Sequence, residues 1–171
     1  MHGEFVQLVC CTLIGWCSEI MRVFAAAVCL LVTVGLAPAA EPIAGTWRLE
    51  RQELNGQKGN FDPLTLRISQ SGDKLAFAFS VPINNIHYVS MSYTVRLNGA
   101  EADVKNGQGE TLGTIKLTKA GNRYKFILSG ANRPQTSGTL IVSPDGKSLT
   151  CESDAVQGGR NVHLMQLFSR A

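Results

Sequence analysis

The sequence predicts an all-β domain, an antiparallel up-and-down β-barrel of about 8–10 strands. Three observations predict it. Beyond Gly45, apolar and polar residues alternate with period two in segment after segment, the spacing of half-buried strands and not of helices. Clusters of Gly, Asn, Asp and Pro break these segments at intervals of about 8–12 residues, the rhythm of short strands joined by tight turns. A meander of that length with one apolar face leaves two open edges unless its first and last strands meet, so closure is the economical solution.

The first 39 residues differ from the rest. Val23 to Ala37 is almost wholly apolar or small, Arg22 stands just before it, and Ala37-Pro38-Ala39 offers small residues for cleavage. That order predicts a secretory signal cut near Ala39. The apolar run falls short of the ~20 residues a membrane-spanning helix needs, although a retained anchor is the alternative. Residues 1–20 hold a second apolar run, Phe5 to Trp16, with Glu4 and Glu19 but no Lys or Arg. Met21-Arg22 is the better signal start, so translation is expected to begin at Met21. The expected organisation is an extension plus signal over residues 1–39 and a single barrel over residues 40–171.

In the expected mature chain, Trp47 and Leu49 alternate with Thr46 and Arg48, and Glu50 to Pro63 reads as a polar connection. Leu64, Leu66 and Ile68 form a second strand. After Ser71-Gly72-Asp73, Leu75, Phe77, Phe79 and Val81 form a third, ended by Pro82, with a loop at Asn84-Asn85. Val89, Met91, Tyr93, Val95 and Leu97 share one face of the next strand, and Asn98-Gly99 follows as a hairpin signal. Ala100 to Lys105 returns. Ile115 and Leu117, then Tyr124, Phe126 and Leu128, mark two more strands around Gly121-Asn122. Gly130 to Gly138 reads as a polar connection broken by Pro134. Leu140 and Val142 precede the turn Pro144-Asp145-Gly146, Leu149 and Cys151 follow it, and Asn161 to Phe168 is the last strand.

Composition excludes several classes. Four of the 5 cysteines (Cys10, Cys11, Cys17 and Cys29) precede the expected cleavage, leaving Cys151 without an internal disulfide partner. Of the 16 Lys+Arg and 13 Asp+Glu, only Arg22, Glu4 and Glu19 precede Ala40, so the remainder carries about +4 in dispersed charges. No nucleic-acid motif accompanies that balance, and no nucleic-acid partner is expected. His87, His163 and Cys151 lie at no metal-ligand spacing, so no metal site and no cofactor are expected. Cys151 lacks an adjacent base, and no catalytic motif appears.

The opening Gly45-Thr46-Trp47-Arg48-Leu49 resembles the Gly-x-Trp start of lipocalins and of bacterial lipocalin-like exported domains. Val142 to Thr150, with Pro144-Asp145-Gly146-Lys147, and Asn161-Val162 are similar to the closing strands of small exported bacterial proteins, mostly uncharacterised, that open with Gly-Thr-Trp. Glu50 to Leu54 and the ending Gln166-Leu167-Phe168 depart from their pattern. The resemblance implies a lipocalin-like barrel, periplasmic or extracellular, whose base is closed by Gly45 and Trp47 with Arg170 covering the indole.

Function follows from the inward set. Phe77, Phe79, Met91, Tyr93, Tyr124 and Phe126 are the candidate lining for a small apolar or amphipathic ligand, with the hydroxyls of Tyr93 and Tyr124 as orienting groups. An apolar interior is also what any barrel needs to fold, so a cavity and a filled core both stay open. The first makes the protein a non-catalytic, monomeric binding protein without a stable membrane span. The second makes it a protein–protein module, an envelope accessory or an inhibitor of a secreted enzyme, acting through Glu53–Pro63 and Pro82–His87.

Overall fold

Alternation along the chain becomes a run of antiparallel hairpins in the computed structural model, which describes residues 40–171 apart from Asn85, Ala131 and Asn132. The expected signal over residues 1–39, and the start at Met21, lie outside the described residues. The strands are β1 (Gly45–Leu54), β2 (Gln57–Lys58), β3 (Thr65–Ser71), β4 (Lys74–Ile83), β5 (Ile86–Arg96), β6 (Asn98–Asn106), β7 (Thr111–Ala120), β8 (Arg123–Gly130), β9 (Arg133–Val142), β10 (Ser148–Gln157) and β11 (Arg160–Arg170). From β3 onward each strand pairs antiparallel with the next. β1 pairs with β3 on one side and β11 on the other, so ten strands close an up-and-down barrel. The two-residue β2 folds back on the end of β1, at Glu53↔Lys58 and Leu54↔Gln57, outside that circuit. The fold class is the one the alternation predicts.

Four local expectations are corrected, each by an irregularity that period two cannot reveal. Glu50 to Leu54 is strand, not connection. A bulge between Leu49 and Arg51 shifts the phase, so that Gln52 and Leu54 return to the inner face opposite Gln166 and Leu164. Pro82 does not end β4, because it pairs with His87 near the tip of the β4–β5 hairpin, where Pro is tolerated. A bulge beside Phe79/Ser80 also takes Val89 off the face it was expected to share with Met91, leaving it 42% exposed. Residues 133–138 belong to β9. The β8–β9 ladder jumps from Leu128↔Thr136 to Gly130↔Arg133, and Pro134 sits in that irregular stretch, where its missing N–H breaks no ladder bond.

The core sits at one end. Ile43, Trp47, Leu66, Leu75, Phe77, Val95, Leu117, Tyr124, Val142, Leu149 and Phe168 are almost wholly buried there. They come from the segment before β1, from the start of β1, β4, β8 and β10, from the latter part of β5, β7, β9 and β11, and from β3. Val104 of β6, paired with Tyr93, is as deeply buried higher up.

Candidate functional site: a lumen closed at one end

The closed end is built around Trp47. Its indole N–H donates to the Ile43 carbonyl at 2.9 Å, which folds the segment before β1 beneath the barrel. The Arg170 guanidinium lies 4.3 Å from the Trp47 ring. It donates to the carbonyls of Gly146 (2.7 Å), Ala44 (3.0 Å) and Pro42 (2.8 Å). Gly45 makes room for it: at φ +148° a Cβ would fall 2.5 Å from Arg170 Nη1. The glycine, the tryptophan and the last strand's arginine are therefore one steric unit, with Trp47 paired directly to Arg170 across the seam.

Glu41 fastens the same end. Its Oε2 accepts from Lys119 Nζ at 2.6 Å and from the Tyr124 hydroxyl at 2.8 Å, and its backbone N–H donates to Gln70 Oε1. Burial, with the Glu41 carboxylate close by, raises the Tyr124 pKa above its ordinary 10.0. The Tyr124 hydroxyl is thus engaged at the closed end and does not orient anything higher in the barrel.

Along the inner face of β1, β4, β5, β8 and β11, burial falls away from that end, while Val104 on β6 and Ser153 on β10 stay buried further up. On β4, Leu75 and Phe77 are buried, Phe79 and Val81 half-buried, and Ile83 exposed. On β5 the same order runs Val95, Tyr93, Met91, Tyr88; on β8 it runs Tyr124, Phe126, Leu128. β1 goes from Trp47 and Leu49 through Gln52 to Leu54, and β11 from Phe168 through Gln166, Leu164 and Val162 to Arg160. The inward side chains at the far end of β1, β4, β5, β8 and β11 therefore face space that solvent reaches. Glycine helps shape it, since the Phe126 ring lies over Gly138 where a Cβ would be 2.4 Å from Cζ.

The expected lining residues fall into two groups. Phe77 and Tyr124 are packed into the closed end, whereas Phe79, Met91 and Phe126 stand half-buried above it. Tyr93 lies at the boundary, stacked on Phe77 with ring centroids 4.7 Å apart. It is 8% exposed, and its hydroxyl makes no hydrogen bond to a described residue. That hydroxyl is not fully sealed off, since no fully buried side-chain polar atom among the described residues is left without a partner. Burial, reinforced by the neighbouring Cys151 thiol, raises its pKa from 10.0.

Sequence reading missed two wall residues. Gln166 and Gln52 pair across β11 and β1, and Gln166 Nε2 donates to Gln52 Oε1 at 2.9 Å. Cys151 is the register partner of Gln166 on the other side. Gln166 was legible, because it alternates with Leu164 and Phe168; Gln52 was hidden by the bulge.

The outer wall carries two open concavities. One, of about 500 Å³, is lined by Lys116, Lys125, Glu152, Asp154 and His163 among others. The second, of about 460 Å³, lies over Arg67, Ser69, Ser92, Thr94 and Asp103. Both are set mainly among outward residues and neither is the lumen. In the first, His163 Nδ1 lies 2.8 Å from Asp154 Oδ1. His87 is exposed beside the β4–β5 tip. Among the described residues no three His, Cys, Asp or Glu side chains gather as metal ligands.

No family model matches the chain, and no curated protein matches it. Solved structures do. The wild-type fluorescent protein UnaG is similar with a TM-score of 0.55 and 16% identity, covering 77% of this chain and 98% of that one. The zebrafish ileal bile acid-binding protein complexed with cholic acid gives 0.54 and 20%, with 76% and 99% covered. A mutant of the REP1-NXSQ fatty acid transporter gives 0.55 and 18%, with 77% and 100% covered. At these identities the likeness is one of fold: the chain folds as a calycin-type, lipocalin-like antiparallel barrel.

Proposed function

We propose that this protein is a non-catalytic binding protein whose barrel takes a small apolar or amphipathic molecule through the end opposite Trp47. The observation that carries the reading is the burial gradient. A barrel packed solely for stability would bury its inward side chains at every level, whereas here Phe79, Met91, Phe126 and Leu128 are half-buried on a concave apolar wall. The fold likeness supports it, because structures similar in fold include proteins described as a bile acid-binding protein and a fatty acid transporter. The Gly45-Thr46-Trp47 opening and the apolar run before it add export to the proposal, to the periplasm or the medium, of a monomer beginning near Ala40.

Native mass spectrometry of the protein purified from its own host tests this, with the expected result a co-purifying small molecule released on unfolding. Absence of any adduct, together with no thermal shift across a panel of lipids and sterols, would sink the binding reading.

One observation favours the rival function through a loop. The β4–β5 tip exposes Ile83, Ile86, Tyr88 and Val89 together, an apolar cluster of the kind that marks a contact site. Cross-linking in the native host separates the two: a discrete protein adduct at the tip, with no bound small molecule, supports the rival.

A further inference from the structure

The lumen's polar groups are few, adjacent and uncharged. Cys151, Gln166 and Gln52 are register neighbours on β10, β11 and β1, so they form one lateral row on the inner face. The Tyr93 ring stacks on Phe77 just above the closed end, and burial, with a smaller contribution from Cys151, keeps its hydroxyl protonated. Above the Trp47 layer, the inner-face positions of the described residues carry no Lys, Arg, His, Asp or Glu up to Leu54 and Ser153. Above that layer the charged residues of these strands alternate outward, as Lys116, Lys125, Glu152 and Asp154 do, or stand at the rim, as Arg160 does. Lys119 and Arg170, at inward parity, belong to the closed end.

We propose that the ligand is an uncharged amphiphile, such as an alcohol, ketone, ester or amide, whose hydrogen-bonding group sits at the level of Tyr93, Cys151 and the Gln52–Gln166 pair. This inference rests on the lumen reading above. An ionised head group at this level would lose its water and meet no opposite charge, a cost of several kcal/mol per ion. A neutral acceptor meets the opposite situation. Tyr93 is 8% exposed and its hydroxyl makes no hydrogen bond to a described residue. Because no fully buried polar atom among the described residues is left without a partner, that oxygen keeps contact with the space above it. It stays protonated, so it can donate there. The two amides keep donors and acceptors beyond their mutual bond, so they can serve either polarity of hydrogen bond but no net charge.

The test is displacement of the uncharged dye Nile red from the protein at pH 8 by decan-1-ol, decanoic acid and decylamine, which share a chain length and differ in charge. Decanol is expected to displace the dye at a concentration at least tenfold lower than decanoate or decylammonium. In Tyr93→Phe, which keeps the ring, the decanol midpoint should rise about fivefold. Decanoate equal to or better than decanol would overturn the uncharged-ligand inference while leaving the lumen reading intact. Failure of Nile red and all three compounds to bind would overturn both. A preserved preference for decanol with no change in Tyr93→Phe would remove Tyr93 from the site.

Discussion

At the scale of residues, Arg170 joins four parts of the chain: it lies over Trp47 and holds the carbonyls of Pro42, Ala44 and Gly146. Its head group is partly in water, so each hydrogen bond is worth less than a buried one. Arg170→Met should cost about 2 kcal/mol in urea unfolding, from a cation–π contact of roughly 1 and discounted charge-assisted bonds. Arg170→Lys should recover only part of that, since an ammonium cannot fan three donors across three carbonyls. Gly45→Ala should also destabilise, by about 1–2 kcal/mol, because its Cβ meets the guanidinium and φ is unfavourable for Ala. The two changes should be non-additive: in an Arg170→Met background the alanine has lost its steric opponent and should cost measurably less. A double-mutant cycle that came out additive would refute the steric unit. Trp47 was legible from alternation alone. The necessity of Gly45 was not, because it depends on a residue 125 positions away that only barrel closure brings near.

At the scale of elements, the strands were legible wherever the pleat is unbroken and illegible at its bulges. The alternation Leu75, Phe77, Phe79 and Val81 gave β4 directly, since an unbroken strand keeps one parity. β1 and β5 each change parity once, and polar residues at the change look like the start of a loop. Pro134 misled for a related reason: a proline argues against a central strand unless the ladder is already interrupted there. The β4–β5 hairpin has two regimes. Its lower part is built on Phe77 and Tyr93. Its tip presents Ile83, Ile86 and Tyr88 to solvent, and β5 pairs with β6 only from Tyr93↔Val104 to Met91↔Asn106. Ile86→Ser should therefore change stability by less than ~0.5 kcal/mol, whereas Phe77→Ala should cost about 3–5. Amide exchange should be faster at residues 86–89 than at 91–95, a difference that hydrogen-exchange mass spectrometry can resolve. Equal protection across β5 would contradict the two-regime hairpin.

At the scale of the molecule, the buried titratable groups all disfavour ionisation in the same direction. Burial pushes the Cys151 thiol up to about 12 from 9.0, and the pKa values of Tyr93 and Tyr124 are raised above 10.0. The native state then holds protons that the unfolded chain releases, so stability falls as pH rises. The contribution is fully present below the unfolded pKa and is lost upward through the folded one. Loss should begin near pH 9 with Cys151 and steepen above pH 10 as both tyrosines join. Each group adds a slope of about 1.4 kcal/mol per pH unit where it alone differs. Cys151→Ala should flatten the pH 9–10 portion of the urea-midpoint profile and leave the steeper loss above it. A wild-type profile flat to pH 11 would contradict the buried, neutral setting of these groups. The fold class was readable from the sequence because closure follows from period and turn spacing. The site was only partly readable: parity says which residues face inward, but not how deep each lies, and depth separates Phe77 from Phe79.

The seam between β1 and β11 also bears on how the chain can fold. It joins Trp47 to Arg170, so the barrel's circumference is completed by its first and last strands. Successive hairpins need only short loops, whereas this pairing closes a loop as long as the barrel itself. A ribosome or translocon that releases the chain from its N-terminus can deliver nine strands of the circuit and still leave β1 and β10 with unpaired edges. Ring closure is thus a late event, and the interval before it is when the chain is most open to pairing with a neighbour. Because the described ends meet, with Ala171 N–H donating to the Thr46 carbonyl at 2.9 Å, a circular permutant that covalently joins them and opens another turn would move that vulnerable interval elsewhere in the ring.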